Sequence, residues 1–294
     1  MTVAASAPPA TRRSRATALR LKAAPIHVVL WLVCAVWLAP ALGLFVSSFR
    51  PERDVSATGW WTVVLHPTFT LANYREVLST AGMASSLLNS VIISVPATVV
   101  PLLIAAYAAY AFAWMQFPGR DTLFALIVCL LVVPLQATLI PVLRLFAATG
   151  VTGTFPAVWL AHTGYGLPLA VYLLRSAIRA LPREILESAA IDGASPPATF
   201  VRVALPLCAP AIASLAIFQF LWVWNDLLVA LIYLGGQPNV APVTVTISNL
   251  VNSLGGGWYL LAAAAFVSMA VPLVVFFGLQ RLFVRGILAG ALKG

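Results

Sequence analysis

Six runs of apolar residues, each long enough to cross a hydrocarbon layer as a helix, are separated by polar intervals along this chain. A helix needs about 20 apolar residues to span roughly 30 Å of lipid. Residues 26–46, 87–114, 123–143, 155–174, 207–234 and 258–279 meet that requirement. Apolar and polar positions do not alternate at period two within these runs, so the pattern predicts helices rather than barrel strands. The expected fold is all-α and integral to a membrane, with six transmembrane helices. Two polar intervals stand out. Residues 47–86 form a long one, and residues 181–206 form a charged, turn-bearing one with the composition of two short helices joined at a glycine.

Composition supports the same reading: 62% hydrophobic and 9% charged residues with a mean hydropathy of +0.99 exclude a water-soluble globule of this size. The formal net charge of +9 raises nucleic acid as a partner, yet no element carries a basic stripe interleaved with aromatics, and none is expected to bind it. Membrane topology accounts for the charge. With the N-terminus inside, the cytoplasmic side holds Arg12, Arg13, Arg15, Arg20, Lys22, Arg120, Arg175, Arg179, Arg183, Arg202, Arg281, Arg285 and Lys293, which is 13 of the 17 basic residues. Both termini and the 181–206 interval are then cytoplasmic. The chain divides into a basic, disordered tail over 1–25, a six-span domain over 26–286 with a cytoplasmic helix-turn-helix over 178–206 between spans 4 and 5, and a C-terminal cytoplasmic tail over 287–294. A cleavable signal is the competing reading of the first run, through Ala39-Pro40-Ala41, but apolar sequence continues to Val46 and favours an anchor.

Chemistry is conspicuous mainly by what is missing. The sequence has no His-Glu-x-x-His pair, no Gly-x-Ser-x-Gly elbow and no phosphate-binding loop, since the run from Gly286 to Lys293 has the wrong glycine spacing and no following Ser or Thr. Cys34, Cys129 and Cys208 show no metal-ligand spacing and are expected to pack. No catalytic, cofactor or metal site is expected, and the chain is read as a non-catalytic subunit. Asp226 is the one carboxylate well inside an apolar run, so uphill transport would need energy from a partner.

The 178–206 segment is built to receive it. Pro182 suits a first helical turn, Glu184 and Glu187 sit near the positive end of the helix dipole, and Gly193 stands where a left-handed stop is needed, predicting a helix over 182–192. Ile185 with Ala189 and Leu186 with Ala190 form an apolar ridge. Ser195 can cap a second helix beginning at Pro196, which presents Phe200 and Val203. The ridge and these two side chains are expected to enter a partner groove, while a helix lying on the lipid surface is the alternative.

Here the residues resemble a known family. Glu187-Ser188-Ala189, three residues, Gly193, nine residues, then Val203-Ala204-Leu205-Pro206 is similar to the "EAA" signature of permease subunits of binding-protein-dependent ABC importers, with Ser188 replacing the first alanine of the pattern. Leu71-Ala-Asn-Tyr74, Trp224-Asn225-Asp226 and the C-terminal Gly290-Ala-Leu-Lys-Gly294 resemble the carbohydrate-uptake branch, in particular the smaller maltose-type permease subunit. The resemblance implies an ATP-driven importer in the bacterial inner membrane with a second permease subunit, two ABC ATPase subunits that bind the ATP and Mg, and an extracytoplasmic solute-binding protein. It assigns the ATPase joint to Glu187, Ser188, Ala189, Ala190, Asp192, Gly193, Leu205 and Pro206. It also leaves open a non-sugar cargo such as glycerol phosphate, and a secondary transporter remains the alternative from another class.

Polar side chains inside the apolar runs mark candidate positions on a solute pathway: Gln136, Gln219, Asn225 and Asp226, with Trp159, Tyr165, Trp222 and Trp224 nearby. Neutral amides and aromatic faces suit an uncharged, hydroxyl-rich solute. For Gln136 and Gln219 the competing role is hydrogen bonding between helices, and for Asp226 it is helix capping.

Overall fold

Apolar helices with small residues on their contact faces dictate the architecture. The computed structural model describes residues 11–79, 82–250 and 257–291, with side chains over 25–79, 82–250 and 257–281. Its helices are α1 (Thr11–Ser48), α2 (Glu52–Ala57), α3 (Ala72–Ser79), α4 (Met83–Trp114), α5 (Arg120–Cys129), α6 (Leu135–Ala148), α7 (Phe155–Arg179), α8 (Arg183–Ile191), α9 (Pro196–Thr199), α10 (Leu205–Leu207), α11 (Ala209–Trp224), α12 (Leu228–Leu234), α13 (Val243–Leu250) and α14 (Trp258–Ala291). Short 3₁₀ turns follow at Trp60–Val64 and Leu130–Val132, and a π-turn occupies Phe200–Ala204.

Among the described residues four helices, α1, α4, α7 and α14, are long and apolar enough to cross a membrane singly. In the same residues two bent pairs pass the same test only when their halves are taken together, which brings the number to six if each pair is one span. Arg120–Val132 meets Leu135–Ala148 at 102°, and Pro196–Leu207 meets Ala209–Trp224 at 75°. The run 123–143, read as one helix, is therefore broken. Pro134 has no N–H to give and holds Val133 in extended backbone (ψ 118°), which stops the first half. The run 207–234 is corrected in the same way: α11 ends at Trp224, and α12 is a separate helix beyond the non-helical residues 225–227.

The α4–α7 pair is the most extensive interface. Ala97, Ala105, Ala106 and Ala109 on α4 and Ala157, Ala161 and Ala170 on α7 are all buried, and small residues four apart let two backbones approach closely where lipid supplies no hydrophobic drive. On the other flank α11 packs on α4 and α14, and α1 and α3 on α14. Cys208 is buried, whereas Cys34 and Cys129 are exposed, which corrects the expectation that all three pack.

Residues 11–25, read as a disordered tail, continue α1 as helix. Their Ala, Leu, Lys and Arg content favours that state. Residues 1–10 lie outside the described part, as do 292–294 of the C-terminal tail, whose preceding residues extend α14 to Ala291.

Residues 47–79 form a folded cap on the bundle. Arg50, 2% exposed, donates to the carbonyls of Asp54, Thr58 and Gly59 and to the hydroxyls of Thr58 and Thr62. Asn73 of the Leu71–Tyr74 motif donates to the carbonyls of Ser48 (3.0 Å) and Arg50 (2.9 Å), and the Tyr74 hydroxyl meets Ser48 Oγ at 2.8 Å, fastening this cap to the end of α1. Trp60 lies against Gly43 of α1, where a methyl group would come within 2.8 Å of the indole nitrogen, while Trp61 remains exposed.

Candidate functional site

At one end of the bundle α7 hands over to the predicted helix-turn-helix. α8 starts after Pro182 and ends at Asp192, and Gly193 takes the left-handed conformation (φ 80°) that closes it. The N–H of Ala194 bonds the carbonyl of Ala189 at 3.0 Å, and that of Gly193 the carbonyl of Ala190 at 3.1 Å, so the last carbonyls of α8 are satisfied. α9 opens at Pro196 as expected, although Ser195 accepts through its backbone carbonyl and its side chain makes no capping bond.

The apolar ridge divides differently from expectation. Leu186 and Phe200 are each 2% exposed and belong to the apolar cluster of Ala106, Ala109, Tyr110, Leu174 and Ile178, so they pack on this chain's own α4 and α7 and are not free for a partner groove. Val203 is half-buried against the same cluster. What faces outward is Ile185 at 41% and Ile191 at 86% exposure, together with Glu187, Ser188, Ala190, Asp192 and Gly193. Ala189 and Leu205 are half-buried, and Pro206 is exposed. The Ser188 hydroxyl donates to the Glu184 carbonyl at 2.7 Å, spending its polarity within α8.

Beside this elbow, Arg175 on the last turns of α7 donates to the Phe112 carbonyl at 3.3 Å, and its guanidinium lies 3.8 Å above the Phe124 ring. The loop from α4 to α5 is thereby tied to the helix that feeds the elbow.

The pathway candidates separate by role. The Gln219 amide, 7% exposed, donates to the carbonyls of Ala97 on α4 (3.1 Å) and His162 on α7 (3.5 Å), which is the interhelical role. Asp226 accepts from the N–H groups of Val229 (3.3 Å) and Ala230 (2.9 Å), which is the capping role for α12. Its carboxylate also lies 3.7 Å from Nε2 of His162, a fully buried side chain whose ring meets Trp222 edge-on at 5.3 Å. Gln219 and Asp226 thus converge on His162, a residue that sequence reading passed over although it and Asp226 both sit at predicted membrane depth. Gln136 is exposed on the first turn of α6, and Asn225 is exposed with its amide turned back to the Leu221 carbonyl at 2.7 Å.

A cavity of about 280 Å³ opens at the α5–α6 break, lined by Leu130, Leu135, Thr138, Gly164, Tyr165 and Trp222 among others. Thr138 Oγ1, Tyr165 Oη and Tyr233 Oη are linked in a row at 3.1 and 2.8 Å. Of the aromatic residues singled out from sequence, Tyr165 and Trp222 line this cavity, Trp159 donates to the Ile92 carbonyl at 2.9 Å, and Trp224 is buried in a stack with Phe220. The residues that line the cavity are mostly aliphatic, Leu130, Leu131, Val133, Leu135 and Pro168, with the hydroxyls of Thr138 and Tyr165, the aromatic faces of Tyr165 and Trp222, and no charged side chain among them.

A family model described as the binding-protein-dependent transport system inner membrane component matches residues 101–289. The chain is similar to the osmoprotective compounds uptake permease protein GgtD of Synechocystis sp., at 62% identity over 273 residues and 92% of each chain. It is 54% identical over 254 residues to the alpha-glucoside transport system permease protein AglG of Rhizobium meliloti, covering 85% of this chain and 67% of that one. The trehalose transport system permease protein SugB of Mycobacterium tuberculosis is 32% identical over 270 residues, covering 90% and 95%. Among solved structures, a bacterial ABC transporter involved in the import of the acidic polysaccharide alginate aligns with a TM-score of 0.64 at 14% identity, over 92% of this chain and 99% of that one. A methionine ABC transporter aligns with a TM-score of 0.53 at 16% identity, over 70% and 94%. At these identities the structural likeness is one of fold.

Proposed function

The chain belongs to the inner membrane components of binding-protein-dependent transport systems, and on that premise we propose that it is the permease subunit of an ATP-driven importer of a carbohydrate. The observation that carries the reading is the outward face of the elbow. A nearly bare Ile191 is poorly suited to water, and Glu187 and Asp192 flank it. A protein groove with an apolar floor and a basic rim suits both features. Seating Ile191, 86% exposed, stabilises the joint by roughly 1.5–3 kcal/mol, and Ile185, 41% exposed, adds less than half as much.

The sequence carries no phosphate loop, so ATP and Mg belong to two ABC ATPase subunits that grip Glu187 to Gly193, with Leu205 and Pro206 at the return. Closure of the ATPase pair swings the elbow and re-orients the spans. A second permease subunit completes the pathway, and an extracytoplasmic solute-binding protein loads it from the side opposite the elbow. The termini then face the cytoplasm. Uncharged sugar is supported by the hydroxyls and aromatic faces that line part of the 280 Å³ cavity and by the alpha-glucoside and trehalose permeases among the relatives. Alpha-glucosides are therefore the class to try first.

The test is uptake of a labelled alpha-glucoside into proteoliposomes containing this chain with its second permease and ATPase subunits, supplied with the binding protein. Uptake is expected only with internal or external ATP on the ATPase side. Accumulation driven by a proton or sodium gradient without nucleotide would sink the importer reading in favour of a secondary transporter.

A further inference from the structure

The elbow is held to the bundle by more than its covalent ends, and the most directed of these contacts is one aromatic ring. Phe200 is 2% exposed, its centroid 4.4 Å from that of Tyr107 and 5.3 Å from that of Tyr110. The two tyrosines are one turn apart on α4, so the ring bridges successive turns of that helix.

The backbone around Phe200 is arranged for movement as a unit. Phe200 opens the π-turn Phe200–Ala204, a wide-turn irregularity of the kind that recurs at functional positions in helices. Before it the chain reverses at Gly193 (φ 80°), and after it the 75° bend separates Pro196–Leu207 from α11. Residues 196–207 therefore form a short rod between two bends. The rod meets α4 through Phe200, with Ala204 fully buried behind it. The Tyr110 hydroxyl is buried without a hydrogen-bond partner. The Tyr110 side chain is therefore joined to the Phe200 ring by ring contact and not by a hydrogen bond.

We infer that Phe200 is the positioning residue through which the elbow drives α4. The inference rests on the elbow being the ATPase joint. Movement of the rod pushes the Phe200 ring along Tyr107 and Tyr110, and α4 is the helix whose carbonyls at Ala97 and Ile92 receive Gln219 of α11 and Trp159 of α7. Displacing α4 thus reaches α11 and α7, which supply Trp222 and Tyr165 to the cavity wall, without the 75° bend into α11 having to transmit force.

The experiment measures solute transported per ATP hydrolysed in the reconstituted complex. Phe200→Ala is expected to lower that ratio about tenfold while hydrolysis continues. Phe200→Leu refills apolar volume without a ring and is expected to stay within about twofold of Phe200→Ala. Phe200→Tyr keeps the ring and should restore the ratio. A normal ratio in Phe200→Leu reduces the residue to packing and overturns the inference, as does an unchanged ratio in Phe200→Ala. If Phe200→Ala does not assemble, Tyr107→Leu, at a position 55% exposed, removes the facing ring instead. The ratio must then fall, and an unchanged value overturns the inference. Ile191→Asp separates the premise: its loss of the ATPase subunits supports the joint. Retention of those subunits overturns the joint and this inference together, whereas loss there with normal coupling in Phe200→Ala overturns the Phe200 assignment alone.

Discussion

Gln219 is held by backbone carbonyls of two neighbouring helices, and its contact shows what that requires. A methyl group built on Gly166 would lie 2.7 Å from both terminal amide atoms of Gln219. Glycine at that point of α7 is what lets the amide reach the carbonyls of Ala97 and His162. Gly166→Ala is expected to lower stability by about 1–2 kcal/mol, the size of interhelical hydrogen bonds in membranes, as read by the thermal midpoint in detergent. The double variant with Gln219→Ala should be about as stable as Gln219→Ala alone, because the clash then has no second party and the same hydrogen bonds are lost only once. If the double variant is as unstable as the sum of the two single ones, the close approach is not the cause. The sequence alone identified Gln219 and Asp226 as polar groups at membrane depth and offered interhelical bonding and capping as their alternatives to solute contact. It could not choose, since the choice depends on which carbonyl or N–H comes within reach in three dimensions. His162 and Gly166 were illegible for the same reason: neither has a meaning until α7 is laid against α11.

At the scale of elements, the helix boundaries that were legible are those written in local backbone chemistry. Gly193 was readable as a stop because a left-handed residue there closes α8, and Pro196 was readable as a start because its missing N–H is harmless in a first turn. The division of the apolar ridge was not. Periodicity placed Leu186 and Ile185 on an apolar side of the helix, but which of them faces the bundle depends on the entry angle from α7. The two breaks were hidden for a related cause: hydropathy continues unbroken across Val133-Pro134, and Asn225-Asp226 is too short a polar step to end a long apolar run, so average composition cannot see either break. Gly193 then carries a graded prediction. No atom lies within 4 Å of a methyl group placed there, so substitution acts through φ alone. Alanine costs about 1–2 kcal/mol for a left-handed conformation, asparagine less, while proline forbids the angle and deletes the N–H that meets Ala190. Transport per ATP should fall in the order Gly, Asn, Ala, Pro, with membrane insertion unchanged in all four. Normal coupling in Gly193→Pro would mean that the turn is not part of a lever.

The whole molecule has its charges sorted by side, and this makes its orientation testable without any partner. Arg175, Arg179, Arg183 and Arg202 gather on or beside the elbow, while the opposite interval 235–257 contains no charged residue. Basic residues in short loops are retained on the cytoplasmic face, so the proposed orientation puts the elbow inside and the folded cap of α2 and α3, which carries only Arg53 and Arg75 on its helices, outside. Their separation in the fold agrees, because α1 and α14 meet α2 and α3 at one end, whereas α4 and α7 meet the elbow at the other. Two exposed serines report on this directly, Ser56 in α2 and Ser195 at the start of α9. The three native thiols, Cys34, Cys129 and Cys208, are first replaced so that a single introduced cysteine is labelled. Ser56→Cys should react with a membrane-impermeant maleimide in spheroplasts, and Ser195→Cys only after the membrane is opened. Reaction at Ser195→Cys in sealed spheroplasts would place the elbow outside, where no ATPase can reach it, and the energy-coupling role would have to be given up.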